Sequence, residues 1–390
     1  MMRVLHVGRA PPPHHGIQSY VFKVAYSLKK SGQDVTILTP LSDKNLKREL
    51  NGLEIIEKKF ENGIFNYIRH LISAISTALR EKSAVPFELF FTLTKFIISR
   101  TSFNPFFSIF TFLMVSQQVR MRRYDIIHFH YPYDEGLGVI FAAKMFNIPT
   151  VATIFGGMIV EASERNPKTI PFLRYVINNT DAPFSITEIS RKVTLNLGGI
   201  EKFIRVIPVG VDYEKYSSFE VEKKEFRRNL GISDDERVVL LVGPEFDKGI
   251  VESLINLSEK LGIRDRVIFT GEVSEEFLIS CYKVSDLLVS YPRTQITTAI
   301  MPVVEAVASG ITVVAASIGA LSEYIIDGKN GFLIKPNEPE VLAEKIMDIM
   351  TNPKNNKIDR SIARQKFSWS VISKRFIEIY MNLIETKRRK

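Results

Sequence analysis

The chain has 390 residues, 45% hydrophobic and 24% charged, with a formal charge of +9 and a pI near 9.3. That composition excludes a disordered chain, and the length suits two domains, because one core seldom grows past about 250–300 residues. A single cysteine, Cys281, excludes a disulfide framework and points to a cytosolic location, while the basic balance favours anionic partners such as nucleotide phosphates or lipid headgroups.

The opening MMRVLHVG meets polar residues too soon for a secretory signal. Residues 3–40 read as a βαβ unit. RVLHVG is a strand ending in Gly8, and RAPPPHHG is a loop. Ile17, Tyr20, Val21, Val24, Ala25 and Leu28 then recur at helical spacing, Gly32 caps the helix, and DVTILTP is the next strand.

Residues 64–119 are rich in Phe, Ile and Leu, with Arg69, Arg80, Lys82, Lys95 and Arg100 interspersed. Asn104, Pro105 and several Ser, Thr and Gln residues interrupt the uncharged run 101–119, so it falls short of the roughly 20 apolar residues of a membrane span. Two readings stay open for this segment: buried helices of the first domain, or an aromatic, basic surface resting on a membrane or lipid acceptor. The strand–helix pattern resumes at YDIIHFH (124–130), a helical GVIFAAKMFN, and TVATIFGG (150–157).

A second series follows VIPVGVD (206–212). Strands are expected at RVVLLVG (237–243), RVIFTG (266–271), DLLVSY (286–291) and ITVVAAS (311–317), with amphipathic helices between them. Strands alternating with helices imply doubly wound parallel sheets, so the fold class is α/β with two Rossmann-like halves. The expected domains are 1–205 with the helical insert 64–119, then 206–366, then a C-terminal helix over 367–390 that packs back toward the first domain. A cleft between the halves is the default site.

A strand that runs through glycine into a helix exposes unpaired N–H groups that suit phosphate. Three places qualify: Gly16 before the first helix, Lys248-Gly249, and the loop 294–301 before Glu305. Glu305 is expected at a helix start, and no other acid lies between it and Asp286. Neither half carries G-x-G-x-x-G, so a nicotinamide cofactor is unsupported. His128 and His130 alternate along one strand and share a face. With no nearby cysteine and no third ligand at usual spacing, no metal is expected. Nothing resembles a G-x-S-x-G elbow, a catalytic cysteine or a nucleic-acid-binding signature.

Over nearly its whole length the chain resembles glycosyltransferase family 4, retaining enzymes of the GT-B fold. RVLHVG…PPHHGIQSYVFKVAYSLKKSGQDVTILT resembles the family's opening, and VIPVGVDYEKY its interdomain segment. LLVGPEFDKG is similar to the V-G-R-x-x-x-E-K-G loop, and VVEAVASGITVVAASIGALSEYIIDGKNGFLI to the E-A-M-A-x-G-x-P-V-V-A through D-G-x-N-G-x-L region. The resemblance implies a nucleotide-diphosphate sugar donor, a glycan, glycolipid or lipid-linked acceptor, no cofactor and no metal. It places Glu305 on the ribose and Lys248 on the diphosphate, with Gly16 and Gly243 close by. It puts Gly271, Glu272 and Val273 along the base, and Thr297, Thr298, Phe155 and Gly156 around the donor sugar.

The chain also departs from the family pattern. Thr297 stands eight residues before Glu305, where a first glutamate is usual. Pro244 and Glu245 replace the arginine of the phosphate loop, Phe155 replaces the histidine of T-x-H-G, and Val209 replaces an asparagine. The departures fall mostly on donor-sugar and phosphate contacts. A different donor sugar, or a non-catalytic scaffold subunit of the same fold, would each account for them. The basic tail 387–390 and the segment 64–119 also fit peripheral attachment to the inner face of an anionic membrane.

Overall fold

The run RVLHVG forms β1 (Arg3–Val7), whose last four residues are all buried. Such a strand is covered on both faces, so it needs a continuous apolar run and not alternation. The computed structural model describes residues 1–390 except 12–15, 43, 62–63, 100, 131, 199, 201, 244–247, 293–299, 353–357 and 390. Its backbone forms two units: Met1–Val209 with Trp369–Lys390, and Gly210–Ser368.

In the first unit, β1 is followed by α1 (Gly16–Lys30), β2 (Asp34–Ser42) and the hairpin β3 (Leu46–Leu50) and β4 (Leu53–Lys59). Then come α2 (Ile64–Glu81), α3 (Val85–Ile98) and α4 (Pro105–Met121). The chain continues through β5 (Ile126–Phe129), α5 (Asp134–Met145), β6 (Thr150–Ile154), α6 (Gly156–Arg165), α7 (Ile170–Asn178), β7 (Ala182–Ser185), α8 (Glu188–Asn196) and β8 (Arg205–Val206). Among the described residues these strands make one sheet in the order β3-β4-β2-β1-β5-β6-β7-β8, parallel except for the β3–β4 hairpin.

Gly32 ends α1 as expected, at φ +81° with its N–H on the Lys29 carbonyl. Asn104 and Pro105 are not interruptions but a helix start: Asn104 Oδ1 accepts the Phe107 N–H at 3.1 Å, and proline occupies the first turn, where its missing N–H costs nothing. α4 is core. Phe107, Phe110, Phe112 and Val115 are all nearly inaccessible to solvent. Helix α5 crosses α4 at Gly138, where an added Cβ would collide with the Ser108 carbonyl and lie 2.6 Å from the Phe112 nitrogen.

The second unit runs through α9 (Tyr213–Ser218), α10 (Lys223–Asn229), β9 (Val239–Leu240), α11 (Lys248–Lys260), α12 (Glu275–Val284), β10 (Leu287–Ser290), α13 (Ile300–Ser309), β11 (Thr312–Ala316), α14 (Leu321–Tyr324), β12 (Phe332–Ile334) and α15 (Pro339–Thr351). Its described strands form a parallel sheet in the order β12-β11-β10-β9. Two expectations fail here. The run 237–243 contributes only two paired residues, and 266–271 contributes none. Val267 has extended backbone, so the local preference of the run is met, but a strand also needs a partner in register, which the sequence of the run cannot supply.

The last helix, α16 (Trp369–Arg389), belongs to the first unit and packs on α1. Ser373 shares a hydrogen bond with Ser31, and Trp369 meets the ring of Tyr20.

Candidate active site

In the second unit Glu305 lies in the second turn of α13, not at its start, because the helix begins at Ile300. The residue is 5% exposed, and its Oε2 accepts the Tyr282 hydroxyl of α12 at 3.1 Å. Burial, then the adjacent Glu305 carboxylate, pushes the Tyr282 phenol well above its ordinary pKa, so it remains a donor. Tyr216 of α9 has its ring 6.1 Å from that of Tyr282 and is raised by the same two causes. The helical pattern around α12 marks Tyr282 only as apolar core. Its role as a partner of Glu305 depends on the α12–α13 packing and was not foreseen from the sequence.

β9 and β10 are parallel neighbours, so the chain after β9 and the chain after β10 leave the same edge of the sheet. Gly243, the start of α11 at Lys248-Gly249, and α13 therefore share that edge. Parallel sheets bind ligands at this carboxyl end. Thr297 and Thr298, with Pro244 and Glu245, lie outside the described residues. Gly271 and Glu272 are exposed and Val273 is half-buried; Gly271 has φ +66°, which favours glycine. They follow the unpaired run 266–271, so no strand ladder brings them to Glu305.

A hollow of about 560 Å³, touched by Lys223, Lys283, Asp286, Gly310 and Arg360, lies instead at the amino ends of β10 and β11. That is the wrong edge for the expected site. Cys281 is buried and its thiol is pushed up to about 11, so it offers no thiolate nucleophile.

In the first unit Gly16 opens α1, and a Cβ there would meet no described atom within 4 Å. Packing does not demand that glycine. Phe155 follows β6 and is 7% exposed, its ring edge-on to Tyr20 at 5.3 Å. Gly156 begins α6, and a Cβ there would come 2.7 Å from Ser190 Cβ of α8. Close approach of two helices already explains this glycine, whatever ligand it meets.

The histidines depart most from expectation. Parallel pairing sets His6 of β1 beside His128 of β5, so a third imidazole joins the pair seen in the sequence. All three are fully buried. His128 Nδ1 shares a hydrogen bond with the Tyr380 hydroxyl of α16 at 2.6 Å, and His128 Nε2 with Thr153 Oγ1 at 2.8 Å. Thr153 Oγ1 is also 3.0 Å from His130 Nδ1, and His130 Nε2 is 2.8 Å from His6 Nδ1.

A neutral imidazole carries one N–H, so the chain runs in one sense at a time. If Tyr380 donates to His128, every later donor follows, and the chain ends on the buried His6 Nε2, which has no partner among the described residues. Burial lowers His6 to about 3, and burial then neighbouring imidazoles lower His128 and His130, so all three stay neutral. One nitrogen from each ring lies within 4.8 Å of the others, near enough to hold a metal ion. Five of the six ring nitrogens are hydrogen-bonded within the cluster or to Thr153 and Tyr380, which makes a continuous relay through it. The third histidine could have been found by aligning the first and fifth strands of a doubly wound order.

Two doubly wound units, with helices springing from the carboxyl edges of parallel sheets, make the architecture that of the GT-B class. The solved structure of Anabaena Alr3699/HepE in complex with UDP and glucose shares it, with a TM-score of 0.72 over 98% of this chain and all of that one, at 16% identity. The model for Glycosyltransferase Family 4 matches residues 14–215, and that for Glycosyl transferases group 1 matches residues 220–366. An uncharacterized glycosyltransferase of Methanocaldococcus jannaschii, MJ1607, is 25% identical over 68% of this chain and 77% of its own. The alpha-monoglucosyldiacylglycerol synthase of Streptococcus pneumoniae is 25% identical over 67% of each. The chain belongs to glycosyltransferase family 4 and is a glycosyltransferase of the GT-B type.

Proposed function

We propose that the protein is a retaining glycosyltransferase that moves a sugar from a nucleotide-diphosphate sugar to a glycan, glycolipid or lipid-linked acceptor at the cytoplasmic face of a membrane. One observation carries the reading: Glu305 is buried on α13 with its carboxylate held by Tyr282, on a helix that leaves the carboxyl edge of the sheet. An oriented carboxylate accepts a ribose hydroxyl without losing freedom at the moment of binding. The UDP and glucose bound by the Anabaena structure and the diacylglycerol named for the pneumococcal relative support donor and acceptor classes of this kind.

In this reading Lys248 and the first amides of α11 hold the diphosphate, with Gly243 allowing close approach. Gly271, Glu272 and Val273 line the base, and Thr297 and Thr298 hydrogen-bond the donor sugar. Phe155 contributes through the backbone at the start of α6, since its ring is packed on Tyr20. Fixed cations and amides stabilise charge as it develops on the leaving diphosphate, which can itself take the acceptor proton. The reading assigns no protein general base and expects neither cofactor nor metal.

The test is a thermal-shift screen of UDP, GDP and ADP sugars on wild type, Glu305→Ala and Glu305→Gln. Ligand binding raises the midpoint by mass action. The screen should single out one donor, whose effect falls in Glu305→Ala and partly returns in Glu305→Gln, which still accepts from Tyr282. A transfer assay with that donor follows. No shift with any donor would sink the reading. The buried apolar Phe155, where the family places a histidine, favours a second reading, a subunit that binds donor but does not transfer. Binding without release of nucleoside diphosphate, across lipid and glycan acceptors, would decide for it.

A further inference from the structure

The segment 64–119 divides between core and surface. α4 is core, but α2 is turned inside out. The face that packs toward α4 carries His70, Ala74, Thr77 and Ala78, all buried, with His70 against the ring of Phe110. The opposite face carries Phe65, Ile68, Ile72, Ile75 and Leu79, exposed by 84, 45, 61, 38 and 73%. Their 3-4-3-4 spacing draws one stripe about 21 Å long at 1.5 Å per residue. A surface helix in water puts its large apolar side chains inward and its small ones outward; α2 does the reverse. The neighbouring α3, packed against α2, exposes Phe91 by 78%. A contiguous apolar surface of this kind marks an interaction site.

The charges identify the occupant. Arg69 and Arg80 are exposed beside the stripe, Lys82 follows the end of α2, and Lys95 is exposed on α3. The acid of α2, Glu81, is paired with Arg120 at 2.7 Å, and Glu88 of α3 is paired with Lys144. The patch is thus apolar along its centre and cationic along its rim. A second copy of the chain would bring like charges together, whereas anionic headgroups above an acyl layer complement both parts. The basic end of α16 is a weaker candidate for the same role, because Lys387 lies 3.6 Å from Asp181 and Arg388 3.9 Å from Asp125.

We propose that α2 and α3 form an in-plane membrane element. The stripe from Phe65 to Leu79 and Phe91 sink below anionic headgroups, while Arg69, Arg80, Lys82 and Lys95 bind the phosphates. Among the described residues no helix is long and apolar enough to cross a membrane, so α2 lies on the bilayer and does not span it. The inference rests on the proposed function for its purpose, since a lipid-linked acceptor is met at that surface.

The test is sedimentation of the full chain with phosphatidylcholine vesicles, with and without phosphatidylglycerol, at low and high salt. Wild type should pellet with the anionic vesicles at low salt. Ile72→Asp with Phe91→Asp should lose at least about tenfold in partitioning. Arg69→Glu with Arg80→Glu should lose the preference for phosphatidylglycerol. In Phe65→Trp, the added tryptophan should be quenched by brominated lipid. The substituted residues are exposed, so the fluorescence of Trp369 and the donor thermal shift should stay as in wild type. Equal pelleting of wild type and the aspartate variant would overturn the inference. So would absence of wild-type binding, or a solution dimer that Ile72→Asp dissociates. A donor shift without vesicle binding sinks this inference and leaves the proposed function standing; vesicle binding without a donor shift does the opposite.

Discussion

Acidification should weaken the first unit specifically, through His6, His128 and His130. In the folded unit burial keeps all three neutral, with His6 lowered to about 3. In the unfolded chain each titrates near pH 6.5. The native state therefore takes up no proton on these rings as the pH falls through that value, while the unfolded state takes up one on each. Stability is complete above the unfolded pKa and declines below it. Between about pH 7.5 and 5.5 the loss is roughly 1.4 kcal/mol per histidine, or about 4 kcal/mol for the three. His70, lowered by partial burial and then by Arg69, adds in the same direction.

The chain has one tryptophan, Trp369, and it sits in the first unit against Tyr20, so its fluorescence reports on that unit. Urea unfolding watched at Trp369 across this pH range gives the slope directly. His6→Phe should reduce the acid sensitivity by about a third, because it removes one of three buried titrating rings, whatever it does to absolute stability. An unfolding free energy that stays flat between these pH values in wild type would refute the argument. So would an unchanged slope in His6→Phe.

Tyr380→Phe removes the hydroxyl that ends the histidine chain and leaves buried His128 Nδ1 without its partner, so urea unfolding at Trp369 should show a loss of about 1–3 kcal/mol. Gly138→Ala should cost about 1–3 kcal/mol in the same assay, because the new Cβ meets the backbone of α4, which cannot swing aside as a side chain would. Gly16→Ala is the contrast. With no described atom within 4 Å of its Cβ it should leave the melting midpoint unchanged. Tyr282→Phe removes one hydrogen bond from the Glu305 carboxylate and should reduce the donor-induced shift without abolishing it, and calorimetry of the second unit should show a loss of about 1.5–3 kcal/mol.

Glu305 and the histidines show what could be read and what could not. The position of Glu305 within a family-like motif was legible, as were the glycine that ends its helix and the strand that follows. The two tyrosines beside it were not, because α9, α12 and α13 meet only after the chain has folded. The failed strand at 266–271 has the same cause: propensity is local, and pairing is not.

Sequence alone determined the alternation of strands and helices, the two doubly wound halves and the resemblance to glycosyltransferase family 4. These follow from periodicity and from motifs contained in short stretches of chain. Tertiary structure decided which residues are neighbours. It paired β1 with β5 in register and so added His6 to His128 and His130. It brought Tyr380, 252 residues distant from His128, to the end of their hydrogen-bond chain. It also settled the apolar segment that composition left ambiguous, burying α4 and leaving the large side chains of α2 facing out. An apolar residue carries no record of which way it points. Direction is fixed only when a helix must choose the face that fits the surface already beneath it.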